Sequence, residues 1–126
     1  MATKTITFDP DSGVPYGANL TIYGGTDFST TFNVKTTSSS AFNLTGYSGA
    51  GAISKSIAVG ATLGATDTFT VSFTDASNGV MKISLTDTET GNLTEGRYVY
   101  DVLVTVGSTT YPLVRGNAYV YNTISS

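Results

Sequence analysis

The sequence has no cysteine, no histidine and no tryptophan among its 126 residues. Without cysteine there is no disulfide framework, and without histidine the commonest general base and the commonest metal ligand are both missing. Ser-His-Asp, Cys-His and zinc chemistry are therefore excluded. The aspartates stand singly along the chain, and their spacing does not indicate the carboxylate pair of a glycosidase. We expect no catalytic residues and no enzyme activity, and no metal or other cofactor.

Charge is also scarce, since charged residues make up 12% of the chain and the net charge is −3. The six basic residues are scattered singly, so the sequence has no cluster of positive charge that would indicate binding to a nucleic-acid backbone. They are Lys4, Lys35, Lys55, Lys82, Arg97 and Arg115. No apolar run approaches the roughly 18 residues of a membrane span, and the first residues lack the apolar run of a signal peptide. We therefore expect a soluble protein, made without secretion, that binds neither nucleic acid nor membrane.

Alternation of apolar and polar residues is the strongest pattern in the chain. From Tyr98 to Val106 every second residue is apolar and large, which is typical of a strand that crosses a core. Residues 27–36, 49–59, 67–74, 80–86 and 110–121 are further predicted strands, and residues 86–90 can form one helical turn capped by Thr86 or Asp87. About seven strands at short intervals, without an amphipathic helix, predict an all-β sandwich, with an up-and-down barrel as the alternative.

Ahead of the strongest strand stands Leu93-x-x-Gly96-x-Tyr98. The glycine can adopt a positive φ, and the tyrosine then enters the strand. This arrangement is similar to the tyrosine corner of immunoglobulin-like sandwiches, where the phenol turns back to bond the backbone of the preceding connection. Leu93, Gly96 and Tyr98 are therefore predicted structural residues; the alternative makes Tyr98 one more core aromatic.

Residues 1–24 are predicted to form an extended amino-terminal arm with one or two short strands, ahead of a domain at residues 25–126. The link at residues 9–17 contains two prolines and two glycines, which favour turns or a stretched path. Because the arm carries much apolar surface, including Phe8 and Tyr16, we expect it to add a strand to a neighbouring copy. The alternative folds residues 19–24 back as the first strand of the chain's own sandwich.

The last predicted strand, residues 110–121, has large apolar residues on both faces. Tyr111, Leu113, Tyr119 and Tyr121 share one parity, and Val114, Ala118 and Val120 share the other. Two apolar faces favour contact beyond the domain. The candidate interface residues are therefore Phe8, Tyr16, Tyr119 and Tyr121.

Three segments, in this order, resemble the small immunoglobulin-like domains of tailed-bacteriophage virion proteins, including the amino-terminal domains of baseplate upper proteins. They are residues 25–34 (GTDFSTTFNV), residues 42–47 (FNLTGY) with 53–56 (ISKS), and residues 93–102 (LTEGRYVYDV). Leu113-Val114-Arg115-Gly116 is similar to the family's ending. The resemblance covers about residues 25 to 121, and Asn43 stands where the family pattern has Asp.

The resemblance implies an immunoglobulin-like antiparallel β-sandwich that serves as a structural protein of a virion, in a tail, baseplate or neck. Its implied partners are other virion proteins and copies of itself in a homo-oligomer, and no catalytic residues come with it. A capsid decoration protein is the near alternative. A second alternative is a module that binds carbohydrate or a host surface, with Tyr16, Tyr23, Tyr47 or Tyr111 stacking on sugar rings.

Overall fold

A computed structural model describes residues 2–55 and 67–123 of the chain. Within these residues the protein is all-β, with nine strands, one short α-helix and one 3-10 turn at Ala76–Asn78. The elements are β1 (Ala2–Thr7), β2 (Tyr16–Gly17), β3 (Leu20–Tyr23), β4 (Phe28–Lys35), β5 (Ser48–Lys55), β6 (Asp67–Asp75), β7 (Val80–Leu85), α1 (Asp87–Gly91), β8 (Gly96–Val106) and β9 (Thr109–Tyr121). The end of the strand predicted at 49–59 lies outside the described residues.

The strands form one continuous sheet in the order β1-β4-β7-β6-β5-β8-β9-β2, with β3 also paired to β9. Strand β6 connects the two halves, because residues 67–69 pair with β5 and the rest of the strand pairs with β7. The sheet curls into a nearly closed, barrel-like shape around its core. The all-β class predicted from the sequence is confirmed.

The pairing differs from the expected antiparallel arrangement of about seven strands. Strand β1 runs parallel to β4, and β2 and β3 run parallel to β9, while the other pairs are antiparallel. The cause is the link between β1 and β2, which carries the chain from one edge of the sheet to the other instead of reversing it in a hairpin. The described strands also do not follow the up-and-down order of the alternative barrel, since only three consecutive pairs, β5–β6, β6–β7 and β8–β9, are neighbours in the sheet.

The core lies inside the curled sheet and is built from alternating residues of its strands. In β4 the buried residues include Phe32 and Val34, and in β7 they are Met81, Ile83 and Leu85. Strand β8 buries Tyr98, Tyr100, Val102 and Val104. These inward faces are the ones that the alternation predicts. The 3-10 turn between β6 and β7 ends at Gly79, whose φ of +76° favours glycine, and it joins these two strands as a hairpin.

The helical turn between β7 and β8 also agrees with the prediction. Thr86 caps α1 and forms a capping box with Glu89, which is the arrangement that a Thr-x-x-Glu sequence favours. The hydroxyl of Thr90, on the buried side of α1, donates to the backbone oxygen of Thr26 at 2.7 Å. Helix α1 therefore holds the connection between β3 and β4. No helix in the described part of the chain is long and apolar enough to cross a membrane.

At the start of β8 the Tyr98 hydroxyl turns back onto the preceding connection. It accepts a hydrogen bond from the backbone N–H of Thr94 and donates one to the backbone oxygen of the same residue, both at 3.0 Å. Gly96, between them, has a φ of +149° and leaves room for Lys55 beside it. This is the backbone bonding that the sequence pattern predicts, and a bond of this kind contributes about 1 kcal/mol.

Strand β9 contains a bulge that explains its two apolar faces. Val102 pairs with Val114 while the next residue, Leu103, pairs with Pro112, so Leu113 is the extra residue. The bulge switches which parity points inward, and Leu113 and Val114 are therefore both buried. The two apolar faces of this strand, taken from the sequence alone, indicate contact beyond the domain. That inference fails, because Val114, Ala118 and Val120 all belong to the core.

Candidate interaction surface

The amino-terminal segment is part of the chain's own sheet. Strand β1 pairs with β4 along its whole length, and Ile6 and Phe8 are 1% and 3% exposed. The Phe8 ring lies 4.9 Å from the ring of Phe42 and 5.9 Å from that of Tyr111, centroid to centroid. Phe8 therefore belongs to the core and not to an accessible interface, contrary to the assignment made from the sequence.

Residues 18–23 are fixed to β9 by a close backbone approach. Ala18 N–H donates to the Arg115 oxygen at 3.0 Å, and the Ala18 oxygen accepts from the Tyr100 hydroxyl at 2.7 Å. Next to it, the Asn19 side chain accepts from the backbone N–H of Asn117 at 3.1 Å. A Cβ on Gly116 would lie 1.9 Å from the Ala18 oxygen, so only glycine fits there. The structure thus has the alternative arrangement, in which the segment folds back as a strand of its own sheet.

The Tyr100 phenol is suited to this donation because it stays protonated. Burial raises its pKa well above the usual value for tyrosine. The hydroxyl therefore keeps its proton for the Ala18 oxygen throughout the neutral range. Burial, with a smaller contribution from Tyr111, also raises the pKa of Tyr47.

Three of the four large exposed apolar side chains among the described residues lie where this docked segment meets β9. Val14 is 68% exposed, Tyr16 40%, Tyr23 53% and Tyr121 46%. Val14 lies in the link, and the three tyrosines lie on β2, β3 and the end of β9. An apolar group of this kind on a charge-poor protein indicates a contact site.

Two of these tyrosines stand side by side on the outer face of the sheet. Tyr23 pairs in register with Tyr121, and their rings are 5.8 Å apart at an interplanar angle of 33°. One step along β9, Tyr119 lies in register with Thr21 on one side and Arg97 on the other. We call Tyr23, Tyr119, Tyr121 and Arg97 the tyrosine surface.

The other aromatic residues named from the sequence are distributed differently. Tyr16 is exposed but lies beside Val114, at a different level of β9. Tyr47 and Tyr111 are half-buried and pack against the core. Tyr23, predicted only as a sugar-stacking residue, becomes a central member of the surface because β3 is parallel to β9, which no local sequence pattern indicates.

The side chains of the tyrosine surface suit the binding of another molecule. Tyrosine and arginine combine a large contact area with polar ends that can find hydrogen-bond partners, and both are enriched at the centres of protein interfaces. Among the described residues, no group of three or more carboxylates is placed to hold a metal ion.

The fold and this surface define the chain as an all-β domain with an aromatic outer face. The sequence matches no protein-family model and no curated protein sequence. Among solved structures, the fold is similar to the N-terminal domain of phage TP901-1 ORF48. The TM-score is 0.56 at 14% sequence identity, and the match covers 95% of this chain and 98% of that chain.

Proposed function

We propose that this protein is a structural component of a tailed-phage virion, placed in the tail, baseplate or neck. The observation that carries the proposal is the likeness in fold to a phage protein domain over nearly the whole of both chains. The chain is about the size of that domain, so the comparison concerns one complete fold and not a shared fragment. The phage role is drawn from that neighbour and from the resemblance of the three sequence segments.

The surface chemistry supports a role in protein contacts. The outward residues of β1 and β4 include Thr3, Thr5, Thr7 and Thr31, with few charges to desolvate when a neighbour covers them. The total accessible surface is 6800 Å², and a stable interface needs about 800 Å² from each partner. A contact centred on the tyrosine surface would therefore occupy a modest part of the molecule.

We propose other virion proteins and further copies of this chain as the partners. Because the amino-terminal segment is docked in its own sheet, the tyrosine surface is the better candidate for these contacts than the arm favoured by the sequence. Tyr23 and Tyr121 can be covered without rearranging the core, whereas Phe8 cannot leave it without opening a cavity.

The kinship with immunoglobulin-like domains is part of the same proposal. Two features support it, namely the Tyr98 hydroxyl bonded to the Thr94 backbone at the entry to β8 and the parallel pairing of an early strand, β3, with the last strand, β9. One feature differs from a two-sheet sandwich. Strand β6 pairs with both halves, so the strands form a single curled sheet.

Negative-stain imaging of phage particles labelled with an antibody to this protein tests the proposal. We expect label at the tail, baseplate or neck. Label distributed over the head would make the protein a capsid decoration protein instead. Purified particles that carry neither label nor the protein in mass spectrometry would overturn the virion role.

The contribution of the tyrosine surface is tested with the double variant Tyr23→Ser, Tyr121→Ser. Since both side chains are about half exposed, we expect the variant to fold and its incorporation into particles to fall at least tenfold. Val14→Ser, which changes a more exposed apolar residue outside the surface, is the control. Normal incorporation of the double variant would show that the contacts lie elsewhere.

A further inference from the structure

A cavity of about 280 Å³ opens at the end of the sheet next to the tyrosine pair. It is lined by Gly24, Gly25, Gly91, Leu93, Asn122 and Thr123. Gly24 and Asn122 follow Tyr23 and Tyr121 directly in sequence, so the cavity begins one residue beyond the pair on both strands. Its volume is just below the roughly 300 to 1,000 Å³ of sites for drug-sized ligands, and it suits a smaller molecule.

The residues that line the cavity are uncharged, and part of its wall is formed by the backbone. Three of its six residues are glycines, so peptide groups and not side chains form much of its wall. The Asn122 side-chain amide makes no hydrogen bond to any described residue, whereas its backbone N–H donates to Glu95. An amide offers two donors and one acceptor oxygen, which matches a ligand whose hydroxyls both donate and accept.

We propose that this cavity and the Tyr23–Tyr121 pair together form a binding site for a neutral saccharide. The uncharged lining excludes a strong preference for an acidic or a basic ligand, since a buried charge without a partner is costly. The exposed Asn122 amide can donate to and accept from hydroxyl groups. The exposed faces of the two tyrosines offer flat apolar surfaces on which the C–H face of a sugar ring can lie, with phenolic hydroxyls at the edge.

The geometry also explains why glycine is useful at position 91. Gly91 is exposed and has no positive φ, and a Cβ there would lie 3.7 Å from the Gly25 Cα, an ordinary contact across the cleft. The fold therefore tolerates a side chain at this position, and helix propensity favours one. A larger side chain would fill the cavity. A substitution at position 91 can therefore block the site without disturbing the fold.

Titration of the purified full-length protein, followed by two-dimensional NMR of its backbone amides, tests this proposal. The probes are glucose, galactose, N-acetylglucosamine and rhamnose, each added separately. We expect at least one to shift the signals of Gly24, Gly25, Gly91 and Asn122, with a Kd of about 1 to 10 mM, the range open to a ligand of this size. If none of the four sugars moves these signals, the proposal is overturned.

Two variants locate the binding. Gly91→Leu should weaken it at least tenfold while the melting temperature is kept, whereas Gly17→Leu should bind like the unmodified protein because its Cβ position has no neighbour within 4 Å. Tyr121→Ala, which leaves the cavity lining intact, should weaken binding at least fivefold and decides the matter if Gly91→Leu does not fold. Unchanged affinity in either folded variant would contradict the site. This test uses the isolated protein, so it is independent of incorporation into particles.

Discussion

Replacing Gly116 with alanine is expected to lower the free energy of unfolding by about 3 kcal/mol, a large effect for a single methyl group. The added Cβ would lie 1.9 Å from the oxygen and 2.7 Å from the carbonyl carbon of Ala18. Both atoms belong to the backbone, so no side chain can rotate to make room. The segment that leads into β3 must move away from β9.

The size of the effect follows from the hydrogen bonds that this movement breaks. The Ala18 N–H loses the Arg115 oxygen, the Asn19 side chain loses the Asn117 N–H, and the Tyr100 hydroxyl loses the Ala18 oxygen. A net loss of about 0.5 to 1.5 kcal/mol for each bond, with a further penalty for a buried phenol left without a partner, leads to the expected total. A change of pH near neutrality is not expected to rescue the variant, because burial raises the pKa of the Tyr100 phenol and keeps it protonated there.

Urea titration measures the Gly116→Ala effect, and Gly17→Ala is its matched control. Gly17 lies in register with Arg115, the neighbour of Gly116, but a Cβ there meets nothing within 4 Å. We expect the control to stay within about 0.5 kcal/mol of the unmodified protein. Equal midpoints for the two variants would mean that the segment does not cross β9 at Gly116.

Truncating Phe8 to alanine is expected to destabilise the isolated protein by about 3 to 5 kcal/mol. The ring is 3% exposed and is surrounded by the rings of Phe42, Tyr47 and Tyr111, with centroids 4.9 to 6.5 Å away. Its removal leaves a cavity among aromatic side chains that are fixed by their own strands. The loss therefore includes both the buried apolar surface and the contacts of the cavity wall.

The Phe8→Ala measurement separates a core residue from an interface residue. Tyr16→Ala, on the same segment but 40% exposed, is the control and should change stability by less than about 1 kcal/mol. If Phe8 served a neighbouring copy, its truncation would leave the stability of the monomer unchanged and would reduce only the oligomer. An unaltered denaturation midpoint together with a loss of oligomer in light scattering would contradict its place in the core.

Local patterns in the sequence predict the strands and their connections well. Alternation identifies the inward faces of β4, β7 and β8 because a strand repeats every two residues, whatever its partner is. The cap of α1 at Thr86 and the bonding of Tyr98 to the preceding connection likewise depend on residues within four positions of each other. Such features can be predicted because the residues that form them are close together in the sequence.

Pairing between distant segments could not be predicted in the same way. The docking of β1 on β4 and of β3 on β9 joins residues that are far apart in sequence, and its determinants are shape features such as the missing side chain of Gly116. The bulge at Leu113 could not be predicted either. Alternation within one strand predicts regular pairing, and the shift in register is defined only by the pairing with β8. The apposition of Tyr23 and Tyr121 depends on the pairing of β3 with β9. The sequence named Tyr119 and Tyr121 as interface candidates and Tyr23 only as a sugar-stacking residue, and it did not single out Arg97.

The central claim is that the amino-terminal segment completes the sheet of its own chain and leaves the tyrosine surface for partners. The chain has no cysteine, so a pair introduced at Thr5 and Asn33, which are in register across β1 and β4, reports their contact without background. Oxidation of Thr5→Cys, Asn33→Cys is expected to give a crosslink within one chain that migrates as a monomer. A disulfide-linked dimer formed on mixing the two single variants, with no crosslink inside the double variant, would contradict the account and place the segment on a neighbour.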